Sequence, residues 1–328
     1  MTDIVFHGQN AATYLADFRA ALESEACIRV LPDRLEAPGD IQAYRQADVI
    51  VGNRLDASMP RPERARLYQV CAAGYDRIDL AALPARTAVC NCYGHGPAIA
   101  EYVMAAILSR RVPLADAHAR LARGDWHYRS GMPGALHGEI GSATLGLLGH
   151  GHIGQAIARR AKAFGMRVLA ANRSPVPVSN EVDAWFGLDS LGDFYRQSDY
   201  IVVSLPLLPA TEGLVDAAAF AQMREHAMLI NVGRGPVVDE QALYDALLRK
   251  RIGAAAIDTW YQYPARPDEA AAPSRLPFAR LDNVIMTPHM SAWTDGTIAR
   301  RARAMAANVD ACVAGRKLAH QVRGAEPR

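Results

Sequence analysis

An arginine between two glycines, an aspartate closing a small-residue run and a histidine behind a proline are the side chains of this sequence best spaced to act on a small acid. Arg234 lies in Leu229-Ile-Asn-Val-Gly-Arg-Gly-Pro-Val-Val-Asp239, just past a short apolar run that reads as a buried strand. A guanidinium there can fork onto a carboxylate, and its glycine neighbours allow a close approach of the backbone. Asp258 ends the run Gly253-Ala-Ala-Ala-Ile-Asp258, and His289 follows Val284-Ile-Met286 in Thr287-Pro-His289. Of the ten histidines this one is best placed to exchange a proton with a ligand, because strand ends face the cleft of an α/β sheet. Taken singly, each has an ordinary explanation as a surface charge or a satisfied polar group. Their recurrence at successive strand ends is what points to chemistry.

The element that must position a ligand against them is Thr144-Leu-Gly-Leu-Leu-Gly-His-Gly-His-Ile-Gly154. Gly149, Gly151 and Gly154 have the GxGxxG spacing that follows a strand, opens a helix and admits a pyrophosphate at the helix N-terminus. Ile153, Ile157, Ala161 and Phe164 are spaced along one helical face, and Arg167–Ala171 reads as the next strand. The dinucleotide is then chosen by Ala171-Asn172-Arg173-Ser174. An acid at this place would hold the ribose hydroxyls of NAD, whereas Arg173 suits a 2′-phosphate and Asn172 and Ser174 offer neutral donors. NADP(H) is therefore expected, with NAD as the alternative.

Strand and helix patterns alternate elsewhere too. Strands are expected at Ile4–Phe6, Ile28–Leu31, Val49–Gly52, Leu67–Cys71 and Val89–Asn91, with a helix over Ala11–Ser24. A long helix over Ile99–Ser109, a polar stretch over Ala115–Gly134, more βα units through Val284–Met286 and a last helix over Ile298–Ala314 before a polar tail complete the pattern. The fold expected is α/β with two Rossmann-like or flavodoxin-like domains, each on a parallel sheet. The 328 residues, half of them apolar, are enough for two cores. A net charge of +2 gives no basic field for nucleic acid, no apolar run is long enough to span a membrane, and the first residues read as a strand instead of a signal peptide. Cys27, Cys71, Cys90, Cys92 and Cys312 are odd in number and scattered, which suits reduced thiols in the cytoplasm, and no second pair completes a metal site with Cys90 and Cys92.

As a set, Ala73-Gly-Tyr-Asp-Arg-Ile-Asp79, Ala100-Glu101, the Gly149–Gly154 loop, Ser198-Asp199, Ser204-Leu-Pro206, Asn231-Val-Gly-Arg-Gly235, Asp258 and Thr287-Pro-His289 resemble the D-isomer-specific 2-hydroxyacid dehydrogenases, from about residue 67 to 314. The resemblance implies a substrate domain of residues 1–97 and 292–328, a dinucleotide domain of residues 98–291 inserted in it, and a homodimer. It implies that Arg234 binds the substrate carboxylate and polarises its carbonyl, that His289 moves the proton, that N–H groups near Ala73 and Gly74 hold the carboxylate and that Asp258 holds the nicotinamide carboxamide. Further cofactor contacts are expected from His152, Ile153, Pro206, Thr211 and Val232. The substrate's side chain would be met by the first domain and the Pro264–Pro277 loop. Two positions depart from the family. Where its glutamate partner of the catalytic histidine belongs, this chain has Tyr263, with Gln262 one position away; and His95 stands where many relatives have asparagine. The expected activity is NADPH-linked reduction of small 2-keto acids such as glyoxylate or hydroxypyruvate. A formate or phosphite dehydrogenase, prompted by the missing glutamate, and a dinucleotide-sensing binding protein are the alternatives.

Overall fold

The computed structural model describes residues 1–264 and 269–323, so part of the Pro264–Pro277 loop and the end of the polar tail lie outside the described residues. The chain forms two compact units, Met1–His95 with Thr294–Arg328 and Gly96–Trp293, where residues 1–97 with 292–328 and 98–291 were expected.

The first unit begins with β1 (Thr2–His7), α1 (Gly8–Ala12), α2 (Leu15–Ala21), β2 (Ala26–Leu31), α3 (Pro38–Gln46), β3 (Val49–Gly52), β4 (Leu67–Val70) and β5 (Ala88–Cys90). The helix expected over Ala11–Ser24 is broken at Thr13, whose hydroxyl turns back onto the Gln9 carbonyl at 3.1 Å. Side chains alternate across the strands: Ile4, Phe6, Val49, Val51 and Leu67 enter one core, and Val5, Ile50, Tyr68 and Val70 enter the other. Burial on both faces is what a parallel sheet requires.

The second unit runs through α4 (Gly96–Arg111), α5 (Leu114–Leu121), β6 (Thr144–Leu148), α6 (His152–Ala163), β7 (Arg167–Ala171), β8 (Ala184–Phe186), α7 (Gly192–Gln197), β9 (Tyr200–Val203), α8 (Ala217–Gln222), β10 (Met228–Asn231), α9 (Glu240–Leu248), β11 (Ala254–Ile257) and β12 (Val284–Met286). Its seven strands are parallel in the order β12-β11-β10-β9-β6-β7-β8. The direction of winding reverses between β9 and β6, and the carboxyl ends of strands around such a reversal form the ligand crevice of open α/β sheets. α5 occupies the stretch expected to be only polar. Its Leu114 and Leu121 stay exposed, so no buried face marks it in the sequence.

The chain then returns to the first unit as α10 (Asp295–Val313) and β13 (Gln321–Arg323). Ala302, Met305, Ala306 and Val309 of α10 fill the same core as Ile4 and Phe6. β13 pairs antiparallel with β5, giving the order β13-β5-β4-β3-β1-β2, so this sheet is not wholly parallel as expected. Three polar-flanked residues carry no strand signal of their own. β13 is held by the ladder and by Arg323, whose guanidinium donates to the Leu80 carbonyl.

Candidate active site

In the second unit, the residues singled out for chemistry follow consecutive neighbouring strands. Arg234 comes after β10, Asp258 after β11 and Thr287-Pro-His289 after β12, all at carboxyl ends. Arg234 is fixed through its neighbours. A Cβ on Gly233 would lie 2.7 Å from the Leu205 carbonyl oxygen and one on Gly235 2.3 Å from that of Trp260, so both glycines are demanded by adjoining protein backbone. Asn231, buried at the strand end, accepts the Gly233 N–H at 3.1 Å and donates to the Arg234 carbonyl at 3.2 Å. The guanidinium itself bonds only to the Gly233 carbonyl, at 2.9 Å, and has no carboxylate partner among the described residues. Val232, expected near the cofactor, has its side chain buried in the sheet core.

His289 is held in the left-handed region at φ 59°, an unfavourable conformation for a residue with a side chain. The restraint comes from Asp258. That carboxylate is fully buried and accepts bonds from the Thr287 hydroxyl at 2.6 Å, the Met290 N–H at 2.9 Å and the Ser291 N–H at 3.0 Å, clasping the backbone on both sides of His289. Asp258 was expected to hold the nicotinamide carboxamide; in the structure its Oδ1 accepts two bonds and its Oδ2 one from the His289 loop. Trp260 adds a brace, its indole N–H donating to the Thr287 carbonyl at 2.7 Å. Tyr102 meets the Thr287 hydroxyl at 2.7 Å, and burial pushes its phenol above the usual range, which keeps its proton on. Neither Trp260 nor Tyr102 was legible as a site residue, since each acts through a bond to another element.

The hydroxyl of Tyr263 lies 2.9 Å from Nδ1 of His289 and accepts the Trp260 N–H at 3.1 Å. A phenol can donate to Nδ1 of a neutral ring or accept from Nδ1 of a protonated one, so this contact orients His289 in either state and leaves Nε2 as the other ring nitrogen. It is Tyr263, not the neighbouring Gln262, whose side chain is seen at His289 Nδ1.

The glycine loop divides its labour. A Cβ on Gly154 would lie 2.3 Å from the Gly149 carbonyl oxygen, and Gly149 has φ 100°, so the fold excludes side chains at both. A Cβ on Gly151 would meet nothing within 4 Å, so here the missing side chain leaves exposed space over the start of α6, which has no side-chain cap. His152 is exposed and Ile153 partly so at that first turn. Open space above an uncapped helix start fits a pyrophosphate. Pro206 is exposed beyond β9, and Thr211 supports it by donating its hydroxyl to the Pro206 carbonyl at 2.6 Å. At the turn after β7, Arg173 and Ser174 are exposed, and Arg173 makes no hydrogen bond or ion pair among the described residues. Asn172 is instead turned to the protein. Its amide donates to the Ser174 carbonyl at 3.0 Å, its N–H donates to the Phe186 carbonyl at 3.1 Å and its carbonyl accepts the Trp185 indole N–H at 3.3 Å, so it shapes the turn that presents Arg173.

In the first unit, the N–H groups of Ala73 and Gly74 have no acceptor among the described residues. The loop that carries them is pinned at the Cys71 N–H, which donates to Asn53 Oδ1 at 3.0 Å, and at the Ala73 carbonyl, which accepts from Asn91 Nδ2 at 2.7 Å. His95 is buried, its ring stacked 6.3 Å from that of Tyr93.

Residues 103–291 match the profile of the D-isomer specific 2-hydroxyacid dehydrogenase NAD-binding domain. Glyoxylate/hydroxypyruvate reductase B of Klebsiella pneumoniae is 33% identical over 267 residues, covering 78% of each chain. D-3-phosphoglycerate dehydrogenase of Methanocaldococcus jannaschii is 31% identical over 264 residues; the match covers 78% of this chain but only 48% of that longer protein. The crystal structure of a D-isomer specific 2-hydroxyacid dehydrogenase from Xanthobacter autotrophicus, in complex with NADPH and MES, superimposes with a TM-score of 0.77 at 25% identity, covering 98% of each chain. The strand-end constellation, the glycine loop and these likenesses agree: the chain belongs to the D-isomer-specific 2-hydroxyacid dehydrogenases and is an oxidoreductase of hydroxy and keto acids.

Proposed function

We propose that the protein reduces small 2-keto acids, glyoxylate and hydroxypyruvate first among them, to D-2-hydroxy acids with NADPH. The observation that carries this reading is the placement of an uncompensated Arg234 and a Tyr263-braced His289 on neighbouring strand ends of a sheet whose glycine loop leaves room for pyrophosphate. The bound nicotinamide would supply a hydride to the keto carbon. His289, as imidazolium, then gives its Nε2 proton to the keto oxygen and is left neutral, while its Nδ1 faces the Tyr263 hydroxyl, which orients the ring. Arg234 draws the substrate carboxylate into register and stabilises charge growing on the oxygen, as a donor set in place before reaction does. Ala73 and Gly74 N–H groups, without acceptors of their own, suit a carboxylate. Initial rates with a panel of keto acids, formate and phosphite test this reading; turnover of formate or phosphite alone, or cofactor binding without turnover of any acid, overturns it.

NADPH is favoured because Arg173 is exposed and unpaired at the end of β7 on a turn stiffened by Asn172 and Trp185. Changing Arg173 to alanine weakens NADPH by about 1.5–3 kcal/mol, the worth of a charge-assisted bond to phosphate, and NADH far less. Titration of both cofactors into both proteins checks it; equal losses count against this role.

A second copy of the chain is the proposed partner. Leu114, Leu121, Trp126 and Leu136 are all exposed within one segment of the second unit, a concentration of apolar surface that suits burial between subunits. The five cysteines are all free thiols, which suits the reducing cytoplasm.

Replacing Tyr263 by glutamate tests the histidine's partner. A carboxylate stabilises imidazolium where a neutral phenol does not, so the protonated ring persists to higher pH and the alkaline fall of the reduction rate moves upward in Tyr263→Glu. Two pH–rate profiles suffice. An unmoved alkaline limb in an active variant would remove Tyr263 from this role.

A further inference from the structure

Arg301, in the second turn of α10, is only 8% exposed and forms no ion pair among the described residues. Its Nη1 stands 3.5 Å from the hydroxyl of Tyr14, itself buried, and its Nε has no hydrogen-bond partner. The strongest ionisable influences on Tyr14 are Arg301, Cys71 and Cys92, none of them a carboxylate. The thiols give no negative charge either: burial pushes both upward, Cys92 to about 11, even though the guanidinium pulls the other way. A guanidinium keeps its proton, so a cation is enclosed here by neutral groups, an arrangement that costs stability unless a counter-charge arrives.

The surroundings share one character. Cys71 begins the loop whose Ala73 and Gly74 N–H groups lack acceptors. The neighbouring Arg300 is likewise without a carboxylate partner and donates to the Gly94 carbonyl at 2.7 Å, where Gly94 packs against both arginines. Unspent donors and positive charge are therefore gathered at the carboxyl ends of β4 and β5, and the acid is missing.

We infer that Arg301 is the counter-charge for a ligand carboxylate held on the Cys71–Gly74 loop, an affinity-determining residue that acts through its field from beneath that loop. The identity of the anion as a 2-keto acid rests on the function proposed above; the charge argument does not. The protein gives up stability in its unliganded state for the sake of binding an anion, and that trade separates the role from a structural one.

The experiment compares Arg301→Met, which keeps volume and removes charge, with Arg301→Lys. Arg301→Met melts at the same or a higher temperature than wild type, as removal of an uncompensated buried ion predicts. Its KM for glyoxylate or hydroxypyruvate rises by a factor of about ten or more with kcat little changed, while Arg301→Lys keeps most of the affinity. Oxalate, a carboxylate probe that needs no turnover, raises the melting temperature of wild type and loses that effect in Arg301→Met. A destabilised Arg301→Met with unchanged KM and an unchanged response to oxalate overturns the inference and leaves the proposed reaction standing. If no keto acid is reduced while oxalate still stabilises wild type and not Arg301→Met, the proposed reaction falls and the anion role of Arg301 stands.

Discussion

His289→Ala lowers kcat for keto-acid reduction by roughly 10²–10⁴, the usual worth of a positioned general acid. The loss falls on kcat because the imidazole contributes chiefly as the proton moves, whereas NADPH binding, which draws on the glycine loop and the β7 turn, stays near wild type. The substitution does not relieve the strained backbone at this position. His289 sits at φ 59° under the hold of Asp258, but alanine at the same place keeps the backbone cost, so no gain in stability offsets the catalytic loss. Steady-state kinetics with a cofactor titration check the split. A variant that binds cofactor and retains a wild-type kcat would show that the proton comes from another group.

Arg234→Lys retains the charge and loses the fork. A lysine ammonium cannot donate in one plane to a carboxylate and a carbonyl oxygen together, so KM rises and kcat falls by roughly 10², the cost of removing one preorganised donor to a developing oxyanion. The fold is expected to tolerate the change, because the turn is shaped by Asn231, Gly233 and Gly235 and not by the guanidinium. Unaltered melting with depressed kcat/KM is the expected pair of results; near-wild-type kinetics would take Arg234 out of the site.

Those two residues were legible in the sequence because the chemistry and the local chain agree: a glycine-flanked arginine and a histidine after Thr-Pro each sit one step beyond an apolar run. The glycine loop was legible for a similar reason, since a carbonyl 2.3 Å from a would-be Cβ at Gly154 dictates residue type within six positions of chain. What stayed hidden depends on partners far away in sequence. Arg301 meets Tyr14 across 287 positions, and β13 becomes a strand only because β5 is there to pair with it. Asp258 was legible as an acid at a strand end, but its bonds to the Met290 and Ser291 N–H groups, 32 and 33 positions further on, were not. Tyr263 was picked out by counting from Asp258, but the Trp260 N–H that bonds to it belongs to a turn no periodicity marks.

Because α10 and β13 complete the first unit from the far end of the chain, that unit has a long wait on the ribosome. Met1–His95 emerges first, and the core containing Ile4, Phe6 and Phe18 lacks Ala302, Met305 and Val309 until residues 96–293 have been made. At about 5–20 residues per second that interval is on the order of 10–40 s, during which one apolar face and the outer edge of β5 are open to other nascent chains. The second unit is contiguous and can fold meanwhile. The contiguous unit Gly96–Trp293 is therefore expected to be complete before the unit that Met1–His95 shares with Thr294–Arg328.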